Sequence, residues 1–204
     1  MPAKQLPDRE FAAIDFEFAR LRSGGGEVPV QIGIVHTTSG LPDTAARFTS
    51  YLRPPAGVYP GPGLRNPDIL NDAPDFLSLW PQINTRLRNR ILLAHGTGTE
   101  KRFLRAFPGH GFGPWIDTLW LARALLPAAP SHSLGELCGL FSLEESIAPV
   151  AGEGSWHDAL FDAAACLLLF YKLIEKAGIS PSSEILLRPP DLREYFQHRS
   201  GPIG

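Results

Sequence analysis

The 204-residue chain is 44% hydrophobic and 20% charged with a formal net charge of −2, enough for one well-buried domain and short for two. This balance excludes a disordered tail and a globally basic nucleic-acid binder, although an acidic site would offset a local basic stripe in the total. Cys138 and Cys166 make neither a disulfide framework nor a zinc spacing, and their apolar, helix-like surroundings mark them as buried reduced thiols.

In chain order, residues 11–18 read as a central strand, apolar except for two acids. A turn at 23–26 leads to a second strand over 28–35 and a third over 47–52, an antiparallel meander. Residues 54–66 are rich in proline and glycine and are expected to be loop. A helix opening at Ala73-Pro74-Asp75 is expected to reach Arg88, with Phe76, Leu77, Trp80, Ile83 and Leu87 at helical spacing. A strand over 91–94, a glycine-rich turn over 96–98 and a helix from near Glu100 follow. Trp115-Ile116-Asp117 suggests a short strand before a helix through Leu126, and Ser133 caps another short helix. Residues 149–154 read as loop, 158–176 form the longest helical pattern, and the chain after Pro181 is a poorly patterned extension. Strands first, then alternation of strand and helix, predict a mixed α/β sheet flanked by helices. Residues 1–5 lack the apolar stretch of a signal peptide and no run approaches bilayer length, so a cytoplasmic location without a membrane partner is expected.

Asp15 and Glu17 are two apart on a strand, so their carboxylates share a face while Ile14, Phe16 and Phe18 turn to the core on the other. Adjacent acids in an apolar strand repel and are costly to bury, and a divalent cation is the simplest compensation. A wet edge strand is the plainer alternative. His157 and Asp162, five residues apart, are turned by about 140° on an ideal helix. They meet only if His157 precedes the helix and Asp162 projects from a later turn. Ser155 is the expected N-cap, with Asp158 as its acidic partner in a structural role. A mobile imidazole beside a fixed carboxylate suits a general base acting on water, whereas a capping or surface histidine is the plain reading. The turn from His95 to Gly98 precedes a helix and offers backbone amides to a phosphate, yet neither standard nucleotide-binding glycine signature is met.

Taken in order, these segments resemble the DEDDh-type 3′–5′ exonucleases, the group of the bacterial DNA polymerase III proofreading subunit, RNase T and oligoribonuclease. Asp15-Phe16-Glu17 resembles the first motif, with Gln31-Ile32-Gly33 like the strand that follows it. The run from His95 to Leu104 is similar to the second motif, and His157-Asp158-Ala159-Leu160-Phe161-Asp162 to the third. The resemblance covers roughly residues 10 to 175 as an ordered set of motifs.

The resemblance implies a ribonuclease-H-like fold with a mixed five-stranded sheet flanked by helices. It implies one exonuclease domain over 1–180, with 181–204 packed on it or trailing from it. It also implies two divalent ions, Mg²⁺ or Mn²⁺, held by Asp15, Glu17, Asp162 and Glu100, with His157 as general base. Glu100 stands where the family carries an aspartate. Phe18, His95, Thr97 and Lys101 are the candidate substrate contacts, Phe18 because the family surrounds the terminal base with apolar side chains. The implied substrate is the 3′ end of a single-stranded nucleic acid, DNA favoured over RNA, released as nucleoside 5′-monophosphates, with homodimerisation left open. A catalytically impaired relative that binds nucleic acid or protein is the alternative, motivated by Glu100.

Overall fold

Two long strands rich in β-branched and aromatic residues, β1 (Phe11–Leu21) and β2 (Glu27–Thr38), pair antiparallel at the centre of the sheet. They come from a computed structural model that describes residues 10–21, 26–56, 58–59 and 67–188. β2 also pairs antiparallel with β3 (Leu41–Pro42) and β4 (Phe48–Tyr51), and β5 (Val58–Tyr59) pairs with Arg20 and Leu21 of β1. On the opposite edge of β1, β6 (Ile91–Ala94) runs parallel to it and β7 (Trp115–Asp117) parallel to β6. The strand order is β3-β2-β1-β6-β7, so the five expected strands form one mixed sheet to which two two-residue strands are added.

Period-two alternation puts apolar side chains on both faces of β1, as a sheet covered on each side requires. Phe11 and Ala13 face the helices α3 (Thr118–Leu125), α4 (Leu134–Leu140), α5 (Glu144–Ala151) and α6 (Ala159–Ala177). Ala12, Ile14 and Phe16 face α1 (Trp80–Leu87) and α2 (Gly98–Leu104), packing with Ile83, Leu87, Phe103 and Phe107. The central helix is α6. Ala163, Ala164 and Ala165 are fully buried and let it lie close to the sheet, while Leu169, Phe170 and Leu173 fill the space beyond. Each such buried Leu or Phe contributes roughly 2 kcal/mol. Gly178 ends the helix in the left-handed conformation at φ 64°, which spares a side-chain clash there.

Several local expectations are corrected. The helix expected from residue 73 to Arg88 is split into a 3-10 turn, Phe76–Leu79, and α1, and Leu77 is exposed. Pro81 has no amide to donate and its ring would crowd the carbonyl of Leu77, so one continuous helix is disfavoured. The loop expected over 54–66 contains β5, while residues 57 and 60–66 lie outside the described residues, as does most of the turn at 23–26. Pro149, Val150 and Ala151 are not loop: they complete α5, held by burial of Ile147, Val150 and Ala151 and stopped by Gly152 at φ 88°. The 3-10 turn Glu184–Leu187 buries Leu186 against the domain, and residues 189–204 lie outside the described set. Among the described residues, no helix is long and apolar enough to cross a membrane.

Candidate active site

The site is built where β1 meets the N-terminus of α6. In the β1–β2 ladder Asp15 lies across from Gly33 and Glu17 across from Gln31, so all four positions address the same face of the sheet. Gly33 leaves that face open. A Cβ there would overlap the backbone of Ala159 and Leu160, so the first turn of α6 sits directly on the strand. Gln31, almost wholly buried, donates from Nε2 to Asp158 Oδ2 at 2.8 Å and accepts the Ala159 N–H at 3.3 Å. The N-cap of α6 is Asp158 itself, whose Oδ1 accepts the N–H groups of Leu160 and Phe161 at 3.1 Å each. Ser155, the expected cap, instead accepts the Asp158 N–H on its backbone carbonyl, in a turn that closes one residue before the helix starts.

With α6 seated this way, Asp162 projects from its first turn beside Glu17. His157 takes φ 70°, a left-handed conformation rare for a side-chain-bearing residue, and its backbone N–H donates to Asp162 Oδ2 at 3.3 Å. Glu17, His157 and Asp162 each offer one ligand atom, and these atoms lie within 4.8 Å of one another. Glu100, in the first turn of α2, is 5% exposed, and its charge acts on Asp15, which joins it to the acidic group.

The electrostatics show how tightly the acids are gathered. Burial, then the charges of Glu100, Asp162, Glu17 and Asp158, push the Asp15 carboxyl well above its usual range. Burial raises Asp162 to about 7, with Glu17 adding to the rise and the His157 N–H opposing it. Burial likewise raises Glu100 to about 7, and raises Glu17, which the nearby His157 partly offsets. Four carboxylates in so small a volume cannot all stay ionised without a compensating charge. Glu100 Oε2 and Asp162 Oδ1 are buried with no hydrogen-bond partner, as oxygens reserved for an ion would be. Hard carboxylate donors with one imidazole suit an oxygen-preferring divalent cation such as Mg²⁺ or Mn²⁺.

No family model matches the chain. The PolC-type DNA polymerase III of Oceanobacillus iheyensis is 32% identical over 118 residues, covering 53% of this chain and 7% of the polymerase. That of Halalkalibacterium halodurans is 27% identical over 179 residues, 84% of this chain and 12% of the polymerase. The chain therefore spans only a small part of the length of these relatives. Among solved structures, Exonuclease X in complex with 5′ overhanging duplex DNA superposes with a TM-score of 0.66 at 22% identity, over 83% of this chain and 94% of that one. The nuclease domain of 3′hExo, a DEDDh family member bound to rAMP, superposes with a TM-score of 0.62 at 14% identity, over 83% and 93%. Exonuclease I of E. coli with a dT13 oligonucleotide gives 0.56 at 17% identity, over 82% and 41%. The chain shares the fold of these solved nucleases.

Within that fold the remaining candidate residues part company. Phe18 does not follow Phe16 into the core: a bulge between Glu17 and Phe18 breaks the alternation. Ala19 takes the buried position, and Phe18 is left 36% exposed beside Glu17 with its ring 6.3 Å from that of Phe103. Its exposure corrects the expectation that it turns to the core. His95 is held inside the fold, with Nδ1 bonded to Thr118 Oγ1 at 3.0 Å and Nε2 to the His132 carbonyl at 2.8 Å, and burial keeps its pKa below the ordinary value. Thr97 gives its N–H and hydroxyl to Asp117 Oδ2 at 2.9 and 3.2 Å, and the Gly96 N–H goes to Asp117 Oδ1 at 3.1 Å. The amides expected to be open to a phosphate are therefore occupied by Asp117, which also caps α3 through Leu119 and Trp120. Lys101 lies over the Trp115 ring at 5.3 Å and lines a groove with Trp120 and Leu186, a different set of residues from the carboxylates.

Asp117, Gln31 and Gly33 were not singled out by chemistry in the sequence. Their signals were there: an acid one residue before a helix, and a Gln-x-Gly in register with an Asp-x-Glu.

Proposed function

We propose that the chain is a divalent-metal-dependent 3′–5′ exonuclease acting on the 3′ end of single-stranded nucleic acid, DNA in preference to RNA, and releasing nucleoside 5′-monophosphates. The observation that carries this reading is the convergence of Asp15, Glu17, Glu100 and Asp162, two of them with orphaned buried oxygens, next to a histidine at the surface. The DNA polymerase identity of the relatives and the nucleic acids in the solved complexes support the substrate class.

On this reading Asp15, Glu17, Glu100 and Asp162 hold Mg²⁺ or Mn²⁺. Bound divalent ions supply positive charge to phosphate oxygens and lower the pKa of an attacking water. The chain's own part is to fix the acids rigidly, to keep the terminal nucleotide against the Phe18 rim, and to take a proton. His157 is suited to the last role: it is exposed, it lies within reach of Glu17 and Asp162, and its backbone is tied to the carboxylate it serves.

The test is direct. Purified chain with Mn²⁺ and 5′-labelled single-stranded DNA and RNA should give a ladder shortened from the 3′ end together with free mononucleotides, DNA faster. Asp15→Asn should abolish both. No cleavage of either polymer with Mg²⁺ or Mn²⁺ would overturn the reading.

A further inference from the structure

Asp158 poses a problem for a carboxylate site. It sits between His157 and Asp162 and acts electrostatically on Asp15, Glu17 and Asp162, yet it is not one of the acids with an open oxygen. Its two oxygens are accounted for. Oδ1 takes the N–H groups of Leu160 and Phe161, and Oδ2 takes the side-chain amide of Gln31. The Gln31 carbonyl oxygen meanwhile accepts the Ala159 N–H. One planar amide thus bridges a strand and a helix 127 residues apart in sequence, at a position 4% exposed to solvent and paired in the ladder with Glu17.

We propose that Gln31 is a positioning residue for the carboxylate site: it locks the first turn of α6 to β2, sets His157 and Asp162 against Glu17, and keeps Asp158 out of the cation's ligand set. The inference rests on the metal-dependent reading above. The chemistry of the position is specific. The bridge needs a donor aimed at a carboxylate and an acceptor aimed at an amide N–H on the same planar group, and the Gln31 carboxamide provides both without titrating. A glutamate would set a second carboxylate against Asp158, and a methionine of similar volume would satisfy neither neighbour. Groups that orient ligands from behind in this way are worth about 10–100-fold in metal affinity or activity.

The experiment uses the full chain and three variants, with Mn²⁺ as the probe. Gln31→Met should weaken Mn²⁺ binding measured by calorimetry by about tenfold or more. It should also speed hydrogen exchange of the Ala159 and Leu160 amides in the metal-free protein, and lower kcat on a labelled oligonucleotide while leaving KM unchanged. Ile83→Val, on the opposite face of the sheet, supplies the control: it lowers thermal stability and should leave Mn²⁺ affinity and Ala159 exchange as they were. Gln31→Glu should be as damaging as Gln31→Met. The double variant Gln31→Glu/Asp158→Asn exchanges donor and acceptor across the same bridge and should restore Mn²⁺ affinity, which also carries the test if Gln31→Met does not fold. Wild-type affinity and exchange in Gln31→Met, or no recovery in the double variant, would overturn the proposal. So would the absence of Mn²⁺ binding by the wild-type chain. A wild-type chain that binds Mn²⁺ but cleaves no oligonucleotide would sink the exonuclease reading alone, since affinity and exchange still judge Gln31.

Discussion

Gly33 stands across the β1–β2 ladder from Asp15, and the space where its side chain would be is filled by the backbone of Ala159. The acid and the helix that brings Asp162 to it therefore depend on one missing Cβ. Gly33→Ala must push α6 off the sheet, because the clash is with backbone on both sides and no rotamer relieves it. The expected cost is about 3 kcal/mol, at the upper end of ordinary overpacking. Urea denaturation should show the lowered midpoint. Mn²⁺ affinity should fall in the same variant even well below that midpoint, since the displacement lies at the site. A stable Gly33→Ala protein with normal Mn²⁺ affinity would show that α6 does not sit as described.

The crowded acids make metal-free stability fall with rising pH. Glu100 and Asp162 hold their protons up to about 7 in the fold, against ordinary values of 4.5 and 3.8. Between those limits the folded state binds more protons than the unfolded chain, so the contribution of these two groups falls as pH rises from about 4 to about 7. Thermal melts in chelator should show this trend, with Asp162→Asn and Glu100→Gln each flattening it. Mn²⁺ should reverse the trend, because binding displaces the same protons and stabilises the fold by mass action. Melts in chelator that do not respond to pH through this window, in wild type and variants alike, would count against the clustering of the acids.

His157 separates stability from activity. A non-glycine residue at a φ of 70° costs roughly 1–2 kcal/mol, which His157→Gly should recover in part. The same change removes the imidazole, and loss of a general base typically lowers kcat by about 10²–10⁴-fold. His157→Gly should thus melt at or above the wild-type temperature while cleaving an oligonucleotide far more slowly. Its Mn²⁺ affinity separates the two jobs open to this side chain: preserved affinity assigns it to proton transfer, and a marked loss assigns it to the ligand set.

Much of the fold was legible because β1 and β2 are long and covered on both faces, so period two and apolar content spoke plainly. Asp15 and Glu17 were legible for the same reason, because they interrupt the apolar run of residues 11–18. Phe18 was not, since a bulge between Glu17 and Phe18 arises from pairing with β2 and leaves no mark in the local alternation. Nor was α5, where Pro149 signalled loop while burial of Ile147 and Val150 decided for helix. The glycine turn after His95 misled in another way. Its free amides are a local property, and their partner Asp117 lies 20 residues on, at a position visible only as a helix cap. Gln31 and Gly33 matter through Asp158 and Ala159, more than 120 residues away, and such pairings are set by the tertiary fold.

Glu100 gives the sharpest test of whether the site is built for turnover. It occupies the first turn of α2 with one carboxylate oxygen buried and unpartnered, and its charge is felt at Asp15 ahead of those of Asp162 and Glu17. Glu100→Asp withdraws the carboxylate by about one methylene, and a misplacement of ~1 Å in a catalytic constellation costs about a hundredfold. The expected result is therefore a loss of kcat in Glu100→Asp and a larger loss in Glu100→Gln, both with Mn²⁺ saturation shifted to higher concentration. A rise in turnover on Glu100→Asp would mean the opposite: that the glutamate is an ill-fitting substitute, and that the chain binds nucleic acid or a partner without efficient cleavage.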